Sequence, residues 1–266
     1  MPREVRVQLL RPHQVIAERE RCPLVLLPLG PLEWHGPHLP LGVDPLNAEA
    51  VALRLAQEVG GVVLPTLYVG TEREVNPKML EAIGFAPEDY VVGMDFPANV
   101  LPSFYFPEEV LAVVVRAYLE ALVGQGYRLI LLVNGHAAAN QLATLERLAV
   151  EYTRGRGVTV RLLVPIPGYT GERWSYSHAT RGETSVMQAL VPDSVDLGTL
   201  PAEGPLPNTA YTIVDDLTFR GEPTEDFTVR PEEDPRRATP AEGEARLAAV
   251  TAELAEALRA DLENLR

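Results

Sequence analysis

The stretch LVLLPLGPLEWHGPHLPLGVD occupies residues 24–44 and joins an apolar run to a dense group of polar side chains. The run at 24–29 predicts a buried strand, so the polar residues lie at the carboxyl end of that strand. Glu33 and His35 are two positions apart, and in extended backbone their side chains point to the same side. Asp44 follows a loop rich in proline and glycine that can fold back. Oxygen and imidazole ligands gathered in this way favour a divalent-metal site.

Each of these three side chains also has a simpler interpretation. Glu33 could be a solvated loop carboxylate and His35 a hydrogen-bonded polar side chain. Asp44 could be the N-cap of a helix that begins at Pro45. The metal interpretation is favoured because two later segments also place histidine and glutamate after predicted strands.

Length and composition indicate a single domain over residues 1–266. A chain of this length with 46% hydrophobic content can bury one full core. No apolar stretch has the length of a membrane span and the N-terminus lacks a secretory signal, which together predict a cytoplasmic protein. A formal net charge of −14 disfavours nucleic acid and anionic membranes as partners. The one cysteine, Cys22, excludes an internal disulfide.

Strand, loop and helix alternate along most of the chain, which predicts a mainly parallel sheet with helices on both faces. The predicted strands lie at residues 5–9, 24–29, 62–67, 128–133, 158–164 and 211–214. The predicted helices lie at residues 12–21, 45–59, 107–122, 138–154, 183–190 and 241–265. In such a sheet the ligands gather beyond the carboxyl ends of the strands.

Titratable side chains are concentrated at that edge of the predicted sheet. Four of the five histidines fall in loops that leave predicted strands, and three carboxylates lie at the same edge: His35, His38, His136 and His178, with Glu33, Asp44 and Glu183. Two imidazoles and three carboxylates are enough for two metal ions bridged by one carboxylate.

These residues carry a resemblance to a known family. The motif Glu33-Trp-His35-Gly-Pro-His38-Leu-Pro with Asp44, the triplet Asn134-Gly135-His136, and the segment from Trp174 through His178-Ala179 to Glu183-Thr184 resemble the creatininase (creatinine amidohydrolase) family of metal-dependent hydrolases. The resemblance implies a three-layer α/β/α sandwich, a small-molecule substrate and a homo-oligomer, a hexamer in the family.

The resemblance also implies roles for individual residues. Glu33, Asp44 and His136 would hold one metal, and His35, Asp44 and a further carboxylate would hold the second, with Asp44 bridging. Trp174 and His178 would lie beside the substrate, while His38 and Asn134 would orient the ligands. The metals implied are zinc, manganese or iron. Arg181 suggests a polar or anionic substrate.

Two departures from the family pattern matter. The family usually has Asn-Gly-His-Gly-Gly-Asn, or a glutamate two residues after the histidine, whereas residues 137–139 here are three alanines. The second metal therefore needs a carboxylate from elsewhere, and Glu183 is the candidate, although it could instead interact with the dipole of a helix that starts there. Residues 72–95 are an apparent insertion, predicted to be a lid or an oligomer contact.

The leading functional hypothesis is a dinuclear metallohydrolase that opens a small cyclic amide by attack of an activated water on a carbonyl carbon. His178 would donate a proton to the leaving group. A lactone or a cyclic polyol ketone would need the same attack and remains an alternative. Two further alternatives are a non-catalytic metal-binding protein and a mononuclear site in which Glu183 is the catalytic acid or base.

Overall fold

A parallel sheet forms the middle layer of the computed structural model, which describes residues 3–82, 85–96, 99, 101–166, 178–204, 206 and 229–265. Its strands are β1 (Leu24–Gly30), β2 (Val62–Val63), β3 (Leu67–Tyr68), β4 (Leu129–Asn134) and β5 (Thr159–Leu163). The order is β2-β1-β4-β5, and β3 pairs with β1 further along, beyond β2. All the described pairings are parallel.

Helices cover both faces of this sheet. They are α1 (Pro12–Arg21), α2 (Val43–Val59), α3 (Pro77–Ala82), α4 (Glu108–Gly124), α5 (Ala139–Gly155), α6 (Arg181–Leu190) and α7 (Pro240–Asn264). Among the described residues, none of these helices has the length and apolar character needed to cross a membrane.

Alternation along the central strands divides the core in two. Leu24 and Leu26 of β1 pack in one apolar cluster with α2, α6 and α7, whereas Val25 and Leu27 pack in a second cluster with α4 and α5. Successive side chains of a strand point to opposite faces, so both faces of β1 are apolar and both are covered. The predicted α/β/α sandwich with a mainly parallel sheet is confirmed.

Two predicted strands differ from the structure. The first, at 5–9, is reduced to a single bridge between Arg6 and Val63, followed by one turn of 3-10 helix. The second, at 62–67, is split into β2 and β3, because Pro65 lies between them and has no N–H to donate to a ladder. Because β2 has only two residues, the segment at 5–9 finds too short a partner strand to form a ladder. The strand predicted at 211–214 lies outside the described residues.

The helix boundaries also shift at the two ends nearest the polar cluster. α2 begins at Val43 rather than at Pro45, and α6 begins at Arg181 rather than at Glu183. Asp44 and Glu183 are therefore both within the first turn of a helix. α7 packs on both of these helices, and α2 in turn packs on α6 and on the central strands β1 and β4.

Leu80, Phe85 and Val91 of the insertion at 72–95 form a small apolar cluster with Phe96, the residue that directly follows it. The two ends of the insertion pair in an antiparallel bridge between Glu74 and Val92. This cluster is separate from the two that cover the sheet.

Candidate metal centre

The polar cluster lies beyond the carboxyl ends of β1 and β4. These two strands end level with each other, because Leu29 pairs with Asn134 and the N–H of Gly135 donates to the carbonyl of Leu29 at 3.0 Å. A Cβ atom added to Gly135 would lie 2.0 Å from the backbone oxygen of Asp44. The bare glycine therefore lets the β4 loop approach the start of α2 and brings His136 beside Asp44.

Asp44 occupies the middle of the cluster. Its Oδ1 lies 3.2 Å from Nε2 of His35, and its Oδ2 lies 3.0 Å from Nδ1 of His136. The N-cap of α2 is Gly42, and no side chain makes a capping hydrogen bond there. The alternative interpretation of Asp44 as an N-cap is therefore wrong, and its carboxylate joins two histidines from different loops.

Three sets of described side chains place potential metal-ligand atoms within 4.8 Å of one another: Glu33, Asp44 and His136; His35, Asp44 and Glu183; and Glu33, His35 and His178. The first two sets share Asp44, in the arrangement that a bridging carboxylate requires. Glu183 is thus close enough to supply the carboxylate that residues 137–139 lack. The third set makes His178 an alternative ligand.

The donor atoms of the cluster fit a cation. Within the described part of the chain, Glu33 Oε2, His35 Nε2 and Asp44 Oδ2 are buried and make no hydrogen bond, although each lies within 4 Å of an oppositely polar atom of the cluster. Buried polar atoms without hydrogen bonds are costly. Two divalent ions, one ligated by Glu33 and Asp44 and the other by His35 and Asp44, would satisfy all three atoms.

The electrostatics of the cluster favour positive charge at the same place. Burial disfavours a charged imidazole, but the carboxylates of Asp44, Glu183 and Glu33 together outweigh it and raise the pKa of His35 to about 10. Burial also opposes the shift at His136, where Glu33 and Asp44 nevertheless raise the pKa well above its ordinary value. The carboxylates that favour the protonated histidines would also compensate the positive charge of a metal ion.

Glu183 also contacts the loop that precedes α6. Its Oε2 accepts a hydrogen bond from the N–H of Ala179 at 2.5 Å. Ala179 is fully buried with a φ of 58°, the one non-glycine residue among those described with a positive φ. A carboxylate has two oxygens and several lone pairs, so this contact is compatible with metal ligation.

His178 faces the cluster with one nitrogen. Its ring stacks on that of His35, with the centroids 3.9 Å apart. Nε2 donates to the carbonyl of Trp34 at 2.8 Å, because a carbonyl can only accept, and Nδ1 lies 3.9 Å from Oε2 of Glu33. The nitrogen that could exchange a proton with a bound molecule is therefore Nδ1.

His38 and Asn134 contact the residues around the ligands. Nε2 of His38 lies 3.0 Å from Oγ1 of Thr184 on α6, which links the first motif to the helix of Glu183. Burial, together with the nearby charge of His35, lowers the pKa of His38 to about 4. The side-chain amide of Asn134 donates to the carbonyl of His136 at 2.5 Å.

Sequence analysis missed several residues that surround the ligands, among them Tyr105 and Gln141. The hydroxyl of Tyr105 donates to Oε1 of Glu33, and burial with the Glu33 charge raises the pKa of Tyr105 well above its ordinary value. Gln141 donates to Oδ1 of Asn134 at 2.6 Å and accepts from the N–H of Thr71 at 2.8 Å. The aromatic cluster at 104–106 was a visible signal for Tyr105, whereas Gln141 had none.

Two residues expected at the substrate remain predictions. Trp174 lies outside the described residues. Arg181 donates from Nε to Oε2 of Glu242 on α7 at 2.7 Å, and it lines a cavity of about 270 Å³ that also reaches Asp44 and Glu183. The guanidinium therefore already has one carboxylate partner.

Comparison with known proteins gives consistent matches. The sequence profile of the Creatininase family, described as creatinine amidohydrolase, matches residues 9–258. A creatinine amidohydrolase of Pseudomonas putida is 28% identical over 194 residues, which span 65% of this chain and 66% of that protein.

Solved structures resemble the whole chain. A mutant creatininase complexed with creatine has a TM-score of 0.69 at 25% identity and covers 97% of this chain and 99% of its own. A mutant creatininase of the Zn-Zn type has a TM-score of 0.67 at 25% identity, covering 98% and 99%.

Proposed function

Because the chain belongs to the creatinine amidohydrolase family, we propose that it is a metal-dependent hydrolase that opens a small cyclic amide. The observation that carries the proposal is the pair of ligand sets that share Asp44. Glu33, Asp44 and His136 hold one divalent ion, and His35, Asp44 and Glu183 hold the other. We propose zinc for both, since a similar solved creatininase is of the Zn-Zn type.

Two such ions supply Lewis-acid polarisation of a carbonyl and lower the pKa of a water toward neutrality. The chain's own residues hold the ligands in place: Tyr105 fixes one oxygen of Glu33, and Asn134 fixes the carbonyl of His136. These contacts leave the ligand geometry little freedom, as efficient catalysis requires.

His178 is the proton donor in this proposal. Trp34 O holds its Nε2–H, so the ring is oriented with Nδ1 toward the cluster. The cleaved amide nitrogen must gain a proton before it leaves. Because the Nε2–H is held by Trp34, Nδ1 can give that proton only after it has taken one up, and the attacking water, which must lose a proton, is the source. Arg181 and Trp174 bind the substrate in this proposal, with Arg181 selecting a polar or anionic group.

Competing functions make different demands on the same residues. A lactone or a cyclic polyol ketone presents the same carbonyl and would need no other ligands. A mononuclear site would use Glu183 as acid or base rather than as ligand. A non-catalytic protein would have no use for an oriented His178, and the several buried ionisable side chains of the cluster are costly to retain without a function.

A hydrolysis screen tests the proposal. The zinc-loaded chain is offered creatinine and other cyclic amides, lactones and cyclic polyol ketones, and ring opening is followed by mass spectrometry. We expect turnover of a cyclic amide other than creatinine, because residues 137–139 and the insertion depart from the family pattern. Turnover of lactones or ketones alone would support the alternative substrates, and no turnover of any substrate by the metal-loaded chain would support a non-catalytic metal-binding protein.

The same assay tests His178. We expect His178→Ala to retain its metal while kcat falls by about a hundredfold or more, the usual effect of losing a general acid. The matched control is His13→Ala, which removes an exposed histidine of α1. Loss of metal from His178→Ala would make His178 a ligand, as the third set of side chains allows, and would contradict its assignment as proton donor.

We also propose that the insertion at 72–95 is a lid or an intersubunit wall over the metals of this single-domain chain. Its apolar cluster is separate from the core, and the backbone N–H of Met94 donates to the Tyr105 hydroxyl at 3.3 Å, next to Glu33. The segment therefore reaches the site without supporting the sheet.

Replacing residues 73–94 with a short Gly/Ser linker should preserve the fold and the bound metal while changing substrate preference or weakening assembly. Elemental analysis, the hydrolysis screen and sedimentation measure the three properties. Tyr90→Ser, which alters only a side chain 72% exposed on the insertion, separates the two roles, because it should affect assembly and not substrate choice. A shortened chain that cannot fold as a monomer would place the insertion in the core.

A further inference from the structure

A side chain of the insertion approaches His136 from the side opposite to Asp44. Oε2 of Glu72 lies 3.7 Å from Nε2 of His136, while Nδ1 of the same ring faces Glu33 and Asp44. The Glu72 side chain is 17% exposed. Nδ1 of His136 thus faces two carboxylates of the candidate ligand set, and Nε2 faces a third carboxylate, that of Glu72.

The ring nitrogen on this side needs a partner. Nε2 of His136 is buried and makes no hydrogen bond with the described residues. If Nδ1 is to give its lone pair to a metal, the ring proton must sit on Nε2, where it requires an acceptor. The carboxylate of Glu72 is near enough to close on that proton by a small rotation of its side chain.

Buried hydrogen bonds fix the backbone of Glu72 and His136 relative to each other. Gln141 accepts from the N–H of Thr71, the residue before Glu72, and donates to Asn134. Asn134 in turn donates to the carbonyl of His136. The side-chain amides of Gln141 and Asn134 therefore connect the backbone next to Glu72 with the backbone of His136.

The insertion leaves room for the Glu72 side chain. A Cβ atom on Gly93 would lie 2.4 Å from Cγ of Glu72 and 2.8 Å from the Tyr105 hydroxyl, and Gly93 has a φ of 54° that favours glycine. The N–H of Gly93 donates to the carbonyl of Arg73 at 3.0 Å. The paired ends of the insertion thus pack Glu72 between Gly93 and Tyr105.

From this geometry we propose that Glu72 is a positioning residue: it accepts the Nε2–H of His136 and so fixes the tautomer and ring orientation in which Nδ1 binds metal. This inference rests on the proposed metal-dependent function. It makes the insertion a part of the metal site, since one of its carboxylates orients a ligand. Removal of a carboxylate that orients a metal-binding histidine in this way typically weakens metal binding by about 10- to 100-fold.

The test compares Glu72→Ala, Glu72→Gln and the control Glu74→Ala, which removes an exposed carboxylate two residues further on. Zinc dissociation constants are measured by competition with a chromogenic chelator. We expect Glu72→Ala to weaken zinc binding by about tenfold or more. Glu72→Gln keeps an acceptor oxygen and should recover part of the loss, while Glu74→Ala should bind as the unmodified chain does.

The second readout is the tautomer itself. With only five histidines in the chain, selective 15N labelling resolves the His136 ring by NMR, and Glu72→Ala should move or broaden its Nε2–H signal. Unchanged zinc affinity together with an unchanged Nε2–H signal in Glu72→Ala would overturn the proposal. Neither measurement needs a substrate, so a chain without hydrolase activity contradicts the proposed function and leaves this test intact.

Discussion

Asp44→Ala should remove both metal ions and abolish hydrolysis. The carboxylate lies between His35 and His136 and belongs to both ligand sets, so its loss leaves each ion with two protein ligands and no bridge. A divalent ion supplies several kcal/mol of transition-state stabilisation, and losing both should lower kcat/KM by about a thousandfold or more. Elemental analysis should find well below one ion per chain, against about two in the unmodified protein.

Glu49→Ala is the matched control, because it removes another carboxylate from α2 and none of the three ligand sets contains that residue. It should keep both ions and full turnover. Asp44→Asn is a second variant that retains shape and loses charge, and it should resemble Asp44→Ala. If Asp44→Ala kept two ions and normal turnover, the shared-ligand arrangement would be wrong.

Gly135→Ala should break the site by a different route, through the backbone. The added methyl group would meet three backbone atoms of Asp44, the nearest at 2.0 Å, and backbone cannot move aside as a flexible side chain can. The β4 loop and the start of α2 must then separate, which takes His136 away from Asp44. Overpacking of this kind costs about 3 kcal/mol or more of unfolding free energy when the contact cannot relax.

Chemical denaturation of the metal-free chain measures that loss, and elemental analysis measures the metal. Gly155→Ala is the control: this glycine ends α5, and nothing lies within 4 Å of its added Cβ. It should change stability by less than about 0.5 kcal/mol. A Gly135→Ala chain as stable as this control, with two bound ions, would show that the contact between the β4 loop and α2 is not needed for the site.

The sequence was sufficient for the central strands, and several of the side chains it singled out lie close together in the structure. β1 and β4 are continuous apolar runs bounded by turn residues, and burial between two helical layers is the environment that suits them. Glu183 was reached by a different argument, from the absence of a carboxylate at residues 137–139. Its position beside His35 and Asp44 is consistent with that reasoning.

The contacts around the ligands could not be predicted in the same way. Glu72 lies at one end of the insertion, whereas Tyr105 is placed by the backbone N–H groups of its two neighbours, which donate to the carbonyls of Leu32 and Gly70. Gln141 lies in the first turn of α5, directly after the β4 loop. Such contacts join distant parts of the chain, whereas sequence periodicity reports only local structure. The prediction of one continuous strand at 62–67 was wrong for a local reason that is visible in the sequence, because Pro65 interrupts the ladder.

The spread of the ligands along the chain has a consequence for folding. Glu33 and His136 would be tied to one ion, which closes a loop of about a hundred residues, as a disulfide of that span would. In the chain-entropy account such a closure is worth about 4–5 kcal/mol. With a single cysteine, this chain has no covalent means of making that connection. Its metals would therefore act as reversible cross-links, and chelation would release the connection between the loops that follow β1 and β4.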